Sequence, residues 1–556
     1  MRLDVLLISL VVLAWLPANH YFPWGSAWQD GIALFAVGAG VAMLSTAAAV
    51  PRAWLALIAV ALASIAAQSA AGIILFAGDA WMAAVYVLSF GLALAAGSTL
   101  VEGGPTVQTR RLELLCLGLL GAALLSAGIG FSQWAGVQNL GIFGADVAPG
   151  QRPFANFGQP NHWCTASVIG LGASWMLFEA RRISGPTLAL VAAMLLGAIV
   201  VSGSRTGGLQ LLLAVALVLG MKRRTSMRLP IAAVVVAVMA TAVAWLLWTH
   251  LNTEAATGAA RSLESQAQAG IRLPLWSALI DAILQRPWLG YGWQQMVMAQ
   301  QAVALEGPPL HVHFEHAHNL VLDMLVWVGL PLGCVLLGLA GWPLLQLLAQ
   351  TRDPRVPGLL LAAGGVLVHS MLEYPIEYAY FLLPLGLVLG AAHKLTGSPA
   401  LKLPVPFTRG MGVVFVMALV LTATDYVKAE QAYRMFRLES ARIGTARIES
   451  PPPDLRLLSQ LEAFLRFAAL EPRAGLSAEQ IEFSGRVAAR FAIPLTQLRH
   501  AQVLALNQDP QGAALQLRVL CAMHSIGRCR SAVERWLALQ SEQPALRAVP
   551  PPPLPR

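Results

Sequence analysis

Four of the eleven histidines in this 556-residue chain lie within the run His311-Val312-His313-Phe314-Glu315-His316-Ala317-His318-Asn319. Imidazole exchanges protons near neutral pH and is the commonest protein ligand for metals, so three chemistries compete here. His-x-His beside a carboxylate is a donor set for zinc or manganese, but the chain has no HExxH motif and no second ligand cluster. The same residues also suit a pH-dependent surface loop with no chemistry. The third reading is one histidine working at the membrane surface, ahead of an apolar helix, as general base or hydrogen-bond donor. This reading fits best.

Arginine supplies the second chemistry. Ser202-Gly203-Ser204-Arg205-Thr206-Gly207-Gly208 joins two apolar segments. It reads either as a tight helical hairpin whose arginine snorkels to the interface or as an anion site. Small residues admit a phosphate, and the helix beginning near Arg205 aims free N–H groups at it. Arg272 heads an amphipathic stretch further on. Alone it suits a lipid headgroup; converging with Arg205 it would suit a diphosphate.

Two polar stretches complete the set. In Phe154-Ala155-Asn156-Phe157-Gly158-Gln159-Pro160-Asn161-His162, amides and an imidazole precede an apolar helix. They are either a polar cap or hydrogen-bonding partners for sugar hydroxyls. The stretch from His369 through Glu373-Tyr374-Pro375-Ile376-Glu377-Tyr378-Ala379-Tyr380 places two carboxylates and three tyrosines at an apolar hairpin. An interfacial aromatic belt accounts for the tyrosines but less well for the glutamates.

These residues need a membrane scaffold. The chain is 57% hydrophobic and 12% charged, with mean hydropathy +0.64, whereas soluble chains run to about 25% charged. Disorder is excluded, and a wholly soluble enzyme does not fit. Apolar stretches of spanning length occur near 3–18, 31–50, 54–76, 80–100, 112–134, 161–179, 187–203, 206–221, 229–249, 320–349, 356–372, 378–393 and 410–427. Leu16-Pro17-Ala18-Asn19-His20 is a poor cleavage site, so the first is expected to remain as a helix. With Met1 in the cytoplasm, alternate connections carry fifteen Lys and Arg, and the opposite ones only Arg152, Arg205, Arg261, Arg272 and Arg286. The positive-inside rule then makes the second set periplasmic. The net charge of +9 marks topology and calls for no nucleic-acid partner.

The expected organisation is a membrane domain over residues 1–427, with periplasmic loops 135–160 and 250–319. A periplasmic helical domain follows over 428–549, then a disordered Pro-rich tip over 550–556. Ile271–Gly290 has the pattern of an interfacial amphipathic helix. The tail holds 17 Lys and Arg against 11 Asp and Glu, in short helical runs that resemble a degenerate helical repeat. Cys521 and Cys529, eight residues apart in an oxidising compartment, are candidates for a disulfide.

Taken in order, these motifs resemble the O-antigen ligase and Wzy-polymerase superfamily of membrane glycosyltransferases, above all its PglL-type protein O-oligosaccharyltransferases. The resemblance rests on Gly158-Gln159-Pro160-Asn161-His162, Ser202-Gly203-Ser204-Arg205, and Arg272 with Trp276 and Pro287-Trp288-Leu289-Gly290-Tyr291-Gly292. It extends to His316-Ala317-His318-Asn319, to Glu373-Tyr374-Pro375 before Tyr380-Phe381-Leu382, and to the opening Trp15–Trp24. It covers residues 10–395. Ser-x-Ser-Arg and His-Asn are common to the superfamily; the Gly-Gln-Pro-Asn-His and Glu-Tyr-Pro motifs point to the protein-glycosylating branch. One departure stands out. Ligases tend to place Gly-x-x-Gly nine residues after His-Asn; here Gly329 keeps that register, but the next glycine, Gly333, is one position late.

The resemblance implies an all-α polytopic membrane protein of about thirteen transmembrane helices, GT-C-like, in the bacterial inner membrane with its active site facing the periplasm. It implies transfer of a preassembled oligosaccharide from undecaprenyl diphosphate to Ser or Thr of an exported acceptor protein such as a pilin, with inversion. No metal or other cofactor is implied. His318 would be the catalytic histidine, and Arg205 and Arg272 would bind the diphosphate. Gln159, Asn161, His162, His316, Asn319, Glu373, Tyr374 and Tyr380 would contact donor or acceptor. Membrane lipid is the remaining partner. The alternatives are an O-antigen ligase acting on lipid A–core, an O-antigen polymerase and, more distantly, a transporter or flippase. Transport predicts midplane charges and repeated halves, whereas the unusual polar residues here cluster at external helix ends.

Overall fold

The computed structural model describes residues 3–18, 20–102, 108–148, 150–255, 263–441 and 451–554. Arg2, Asn19, Arg261, the end of the 428–447 run and the last two residues of the tip lie outside them. The described residues are almost wholly helical. The membrane segments give α1 (Leu3–Leu13), α2 (Ala27–Ala42), α3 (Arg52–Ala70), α4 (Ala77–Thr99), α5 (Arg110–Trp134), α6 (Pro160–Glu179), α7 (Gly185–Ser202), α8 (Arg205–Thr225) and α9 (Ile231–Ala255). Then come α10 (Leu263–Gln285), α11 (Met296–Ala302), α12 (Leu320–Val328), α13 (Leu330–Gln350), α14 (Val356–Ser370), α15 (Ala379–Thr396) and α16 (Val405–Ser440). The tail adds α17 (Ser459–Ala469), α18 (Ala478–Arg490), α19 (Pro494–Leu506), α20 (Pro510–Met523) and α21 (Ile526–Glu542).

Among the described residues nine helices are long and apolar enough to cross a membrane, and α2 and α14 are shorter apolar helices. The protein is an all-α, multi-pass membrane protein. Several spans differ from expectation: the first ends at Leu13, and the last runs from Val405 to Ser440. The second stretch is helical only to Ala42, after which Ala48–Val50 forms a short strand antiparallel to Leu401–Leu403. The 320–349 stretch is two helices, interrupted at Gly329.

The chain divides into two compact units. One comprises Met1–Ala61, Val85–Gln266 and Gly338–Val420; the other comprises Leu62–Ala84, Ala267–Leu337 and Leu421–Arg556. In the first, α6 packs against α5, α7, α8 and α14. His162, Thr165, Ser167, Ser174 and Glu179 dilute the apolarity of α6, yet all are buried. Such residues are costly in lipid and belong where protein surrounds a helix. Gly172 and Gly358 let α6 and α14 touch: a Cβ on Gly172 would meet the Gly358 carbonyl oxygen at 2.5 Å, and one on Gly358 the Gly172 oxygen at 2.6 Å. Small residues at such crossings are how membrane helices gain contact. Gly172→Leu should therefore force α6 and α14 apart, at about 1–3 kcal/mol or more as overpacking. Thermal unfolding in detergent will read it as a lowered midpoint.

Several residues of the expected cytoplasmic set are tied down within this unit. Arg182 pairs with Glu113 at 2.7 Å, Arg355 with Asp353 at 2.6 Å, and Arg228 donates to the Phe178 carbonyl at 2.8 Å.

In the second unit, α10 buries Leu275, Leu279, Ala282 and Ile283 while Leu273, Ile280 and Leu284 remain exposed. It thus has two apolar faces, one packed on protein and one open, as an interfacial helix requires. Gly290 and Gly329 cross closely, both in the left-handed region. A Cβ on Gly329 would meet the Pro287 oxygen at 2.6 Å, and one on Gly290 the Val326 oxygen at 2.5 Å. Tyr291 and Gly292 donate to the carbonyls of Val326 and Trp327, and Leu330 to that of Pro287. Gly329 is thus required by a backbone crossing. A Cβ on Gly333 would meet Leu325, its side chain at 2.7 Å and its Cα at 3.4 Å, so the shifted second glycine serves helix packing and no backbone crossing as tight as that at Gly329.

The tail helices pack as successive neighbours, α18 on α19, α19 on α20 and α20 on α21. Ala501, Ala513, Leu517, Trp536, Leu539, Leu546 and Val549 form one core. A buried ion pair joins Arg490 to Asp79 at 2.9 Å, and Cys521 and Cys529 form a disulfide.

Candidate functional site

Each unit carries part of the motif set. In the first unit, Pro160 occupies the first turn of α6 and Gln159 is its N-cap in extended conformation, its side chain making no capping bond. Asn161 follows, and its amide joins three motifs distant in sequence. Its Oδ1 accepts from Ser204 Oγ at 2.8 Å, and its Nδ2 donates to Glu373 Oε1 at 3.3 Å. The Gly-Gln-Pro-Asn-His, Ser-x-Ser-Arg and Glu-Tyr-Pro stretches thus meet around one side chain.

The α7–α8 turn is built for a close approach. Gly203 caps α7 in the left-handed region at φ 61°, a conformation glycine adopts without penalty. Ser204 is the N-cap of α8, but its side chain makes no capping bond; its hydroxyl goes to Asn161 instead. The first turn of α8 thus has amides without a side-chain cap, and Arg205, its first residue, is exposed. An exposed guanidinium beside such a helix start is a ready anion site.

Beneath lies an aromatic and imidazole layer. His162, 1% exposed, packs edge-on against Tyr378, Phe381 and His369 with ring centroids at 4.8, 5.4 and 5.5 Å. Its Nδ1 lies 3.3 Å from the Tyr380 hydroxyl. Tyr374 stacks on Tyr378. Tyr380 is itself buried, and Trp15 Nε1 donates to its carbonyl at 2.8 Å. His162 and Tyr380 therefore lie inside the bundle, whereas Gln159, Asn161 and Tyr374 are part-exposed.

Sequence reasoning missed Asp30, fully buried and accepting from Trp24 Nε1 at 3.1 Å, Tyr86 OH at 2.9 Å and Ser26 Oγ. A lone carboxylate in the run Ala27-Trp28-Gln29-Asp30-Gly31-Ile32 was the available signal. Gln210 was missed too: its Nε2 donates at 2.8 Å to Thr165 Oγ1 and to the Gly365 carbonyl, linking α8, α6 and α14.

In the second unit the histidine run is fastened along its length. His311 donates its N–H to the Ala522 carbonyl at 2.9 Å, and its Nδ1 lies 3.0 Å from the Cys521 carbonyl. The buried side chain of Gln300, on α11, donates to the Val312 carbonyl at 2.7 Å and accepts from Phe314 N at 3.0 Å. Ala317 is held at both ends: its N–H donates to Asp323 Oδ1 at 2.8 Å, and its carbonyl accepts from Trp276 Nε1 at 2.8 Å. Asn319 caps α12, accepting from Val321 N and Leu322 N.

Between these anchors His318 has φ 53° and packs edge-on to Phe314 at 5.5 Å. A non-glycine residue in that region costs about 1–3 kcal/mol and persists only where its surroundings over-determine it. His316 and Arg272 are half-buried; Arg272 lies one turn before Trp276 on α10.

The four histidines do not converge. His311 turns to the tail backbone, and His313 stacks on His524 at 5.5 Å. Burial lowers both members of that pair below the usual imidazole range, His524 to about 4, so the stack is neutral at neutral pH. Among the described residues no three His, Cys, Asp or Glu side chains are grouped to hold a metal.

Comparison with known proteins finds relatives along most of the chain. Residues 190–337 match the family model described as O-antigen ligase, and residues 359–533 the model described as virulence factor membrane-bound polymerase, C-terminal. The chain is 29% identical over 541 residues to the general O-oligosaccharyltransferase of Acinetobacter baylyi, covering 94% of this chain and 93% of that protein. It is 26% identical over 255 residues to that organism's ComP-specific O-oligosaccharyltransferase, 46% of each chain. Similar along most of its length to an O-oligosaccharyltransferase and over residues 190–337 to the O-antigen ligase model, the chain is a membrane glycosyltransferase.

Proposed function

We propose that this enzyme transfers a preassembled oligosaccharide from undecaprenyl diphosphate to Ser or Thr hydroxyls of exported proteins, a pilin among them, at the periplasmic face of the bacterial inner membrane. The observation that carries this reading is the likeness to a general O-oligosaccharyltransferase along 94% of the chain, tail included. In this reading three side chains carry the chemistry. His318 takes the proton of the acceptor hydroxyl as its oxygen forms a bond to the anomeric carbon from the face opposite the diphosphate. The bond from that carbon to the diphosphate oxygen breaks, its electron pair leaves with undecaprenyl diphosphate, and the configuration inverts. Arg205 with the α8 amides, and Arg272, stabilise the charge that grows on the leaving group.

In this reading Asn161 and Gln159 meet the sugar, the buried Glu373 orients Asn161, Tyr374 offers a further contact, and His162 and Tyr380 support them from within the bundle. His316 and Asn319 flank the base. A diphosphate leaves well once its charge is stabilised, so the reaction needs no metal.

The test incubates purified enzyme with lipid-diphosphate glycan and either a pilin-derived peptide or lipid A–core. Glycopeptide should form, and at the same rate with or without EDTA. Transfer only to lipid A–core would move the assignment to a ligase, the reading favoured by the match of residues 190–337 to the O-antigen ligase model. Loss with EDTA and recovery with zinc or manganese would restore a metal role for the histidine run.

A further inference from the structure

We propose that the tail turn closed by the Cys521–Cys529 disulfide is a positioning element for the loop that carries His318, so that glycosyl transfer depends on that bond. This rests on His318 as the reacting base, and it assigns the tail a part in catalysis.

The geometry runs from the tail to the base in steps. Cys521 lies near the end of α20 and Cys529 in the first turns of α21, and the disulfide joins them across the turn Ala522–Ser525. The last carbonyls of a helix have no partner within it. Here Cys521 and Ala522 offer theirs to His311, which answers with its Nδ1 and its N–H while held at φ 52°. Two residues on, His313 lies flat against His524, whose Nε2 is 3.0 Å from Gln497 Oε1 of α19. Met523 packs with Val297 of α11 and with Ala492. The same turn therefore supports both the start of the histidine run and α11, the helix whose Gln300 clamps Val312 and Phe314. The Phe314 ring is what His318 packs against.

The disulfide fixes the spacing on which these contacts depend. Cys529 is fully buried, and both sulfurs lie in a cluster with Leu520, Ala532 and Val533. Opening the bond leaves the ends of α20 and α21 joined only by His524–Ser525, so their spacing is no longer fixed by a cross-link. The carbonyls that receive His311 and the ring that receives His313 then move with that end. Arg205 and Arg272 lie on helices outside this loop, whereas His316 and Asn319 move with it, so the loss falls mainly on the chemical step and less on binding.

The experiment uses the full-length enzyme in nanodiscs, comparing oxidised wild type, dithiothreitol-treated wild type and the double variant Cys521→Ser/Cys529→Ser. Transfer is read with whichever acceptor the wild type uses, so failure of the protein-acceptor assignment leaves this test intact. A misplacement at the reacting centre costs up to about 10²-fold. We expect kcat to fall about 10–10²-fold, equally in the reduced enzyme and the double variant, with a much smaller change in KM for donor and acceptor. Dithiothreitol should have no further effect on the double variant, which controls for Cys116, Cys164 and Cys334. Unchanged kcat per folded enzyme, or a loss confined to the amount of folded protein, overturns the proposal.

His311→Gly provides a second readout should the double variant fail to fold. Glycine keeps the left-handed backbone and the N–H bond but removes the Nδ1 contact. It should lower kcat with the same KM pattern, and wild-type kcat in this variant would count against the proposal.

Discussion

His318→Asn should lower transfer by about 10²–10⁴-fold, the usual contribution of a positioned general base, while the protein folds and inserts as before. Asparagine is the informative replacement because the backbone at this position is left-handed, φ 53°. Apart from glycine, asparagine is among the few residues that visit that region readily. His318→Ala would add backbone strain and confuse fold with chemistry. Ala317 and Asn319 stay anchored by Asp323, Trp276 and the α12 cap, so the loop keeps its course and only the imidazole is lost. The measurement is single-turnover transfer at saturating donor and acceptor, with donor affinity determined separately. Donor affinity should hold while the rate collapses. His316→Asn, measured alongside, should lose far less; activity within threefold of wild type in His318→Asn, with collapse in His316→Asn, would reassign the base to its neighbour.

Arg205→Ala carries the second large effect. Removing one preorganised donor from a charge-stabilising site costs about 10²–10³-fold in kcat. Arg205 combines a permanent cation with the start of α8, whose first turn has no side-chain cap because Ser204 is engaged by Asn161. Charge on the diphosphate rises as the glycosidic bond breaks, so the loss should appear mainly in kcat and less in donor affinity. Arg205→Lys should recover part of it, since lysine keeps the charge but not the forked donors that match phosphate oxygens. A loss seen wholly in donor affinity would make Arg205 a binding residue only. An unchanged enzyme would return it to interfacial snorkelling.

Much of the scaffold was legible because membrane helices follow a one-dimensional rule: lipid thickness sets the length of apolar run required. The misread spans show where that rule ends. Nothing in the composition of 320–349 announces two helices. The break at Gly329 exists because the 287–292 segment crosses there, and only glycine leaves room for it. The buried glutamines were equally silent. Gln210 and Gln295 bind groups far along the chain, and Gln300 clamps two residues of the histidine run; an isolated glutamine carries no periodic signal. For the candidate site, residue type and local spacing were enough to single out the histidine run and the Ser-x-Ser-Arg turn. They did not separate Asn161, which bridges three motifs, from its neighbour His162, which is buried.

The sequence by itself determined an all-α membrane protein, singled out the candidate stretches for its chemistry, and pointed to the family it resembles. Hydropathy, charge asymmetry and short motifs are properties of adjacent residues, and adjacency survives folding. Tertiary structure alone decided that the neighbouring His311, His313 and His318 face different partners. It also decided that His318 sits in a strained backbone between fixed peptides, and that the tail's disulfide turn grips the far end of the same loop. Those outcomes depend on hydrogen bonds between groups up to about two hundred residues apart, such as His311 to Cys521 at a separation of 210. Side-chain direction in a loop is set by whichever distant carbonyl or ring it meets, and a local pattern contains no record of that meeting.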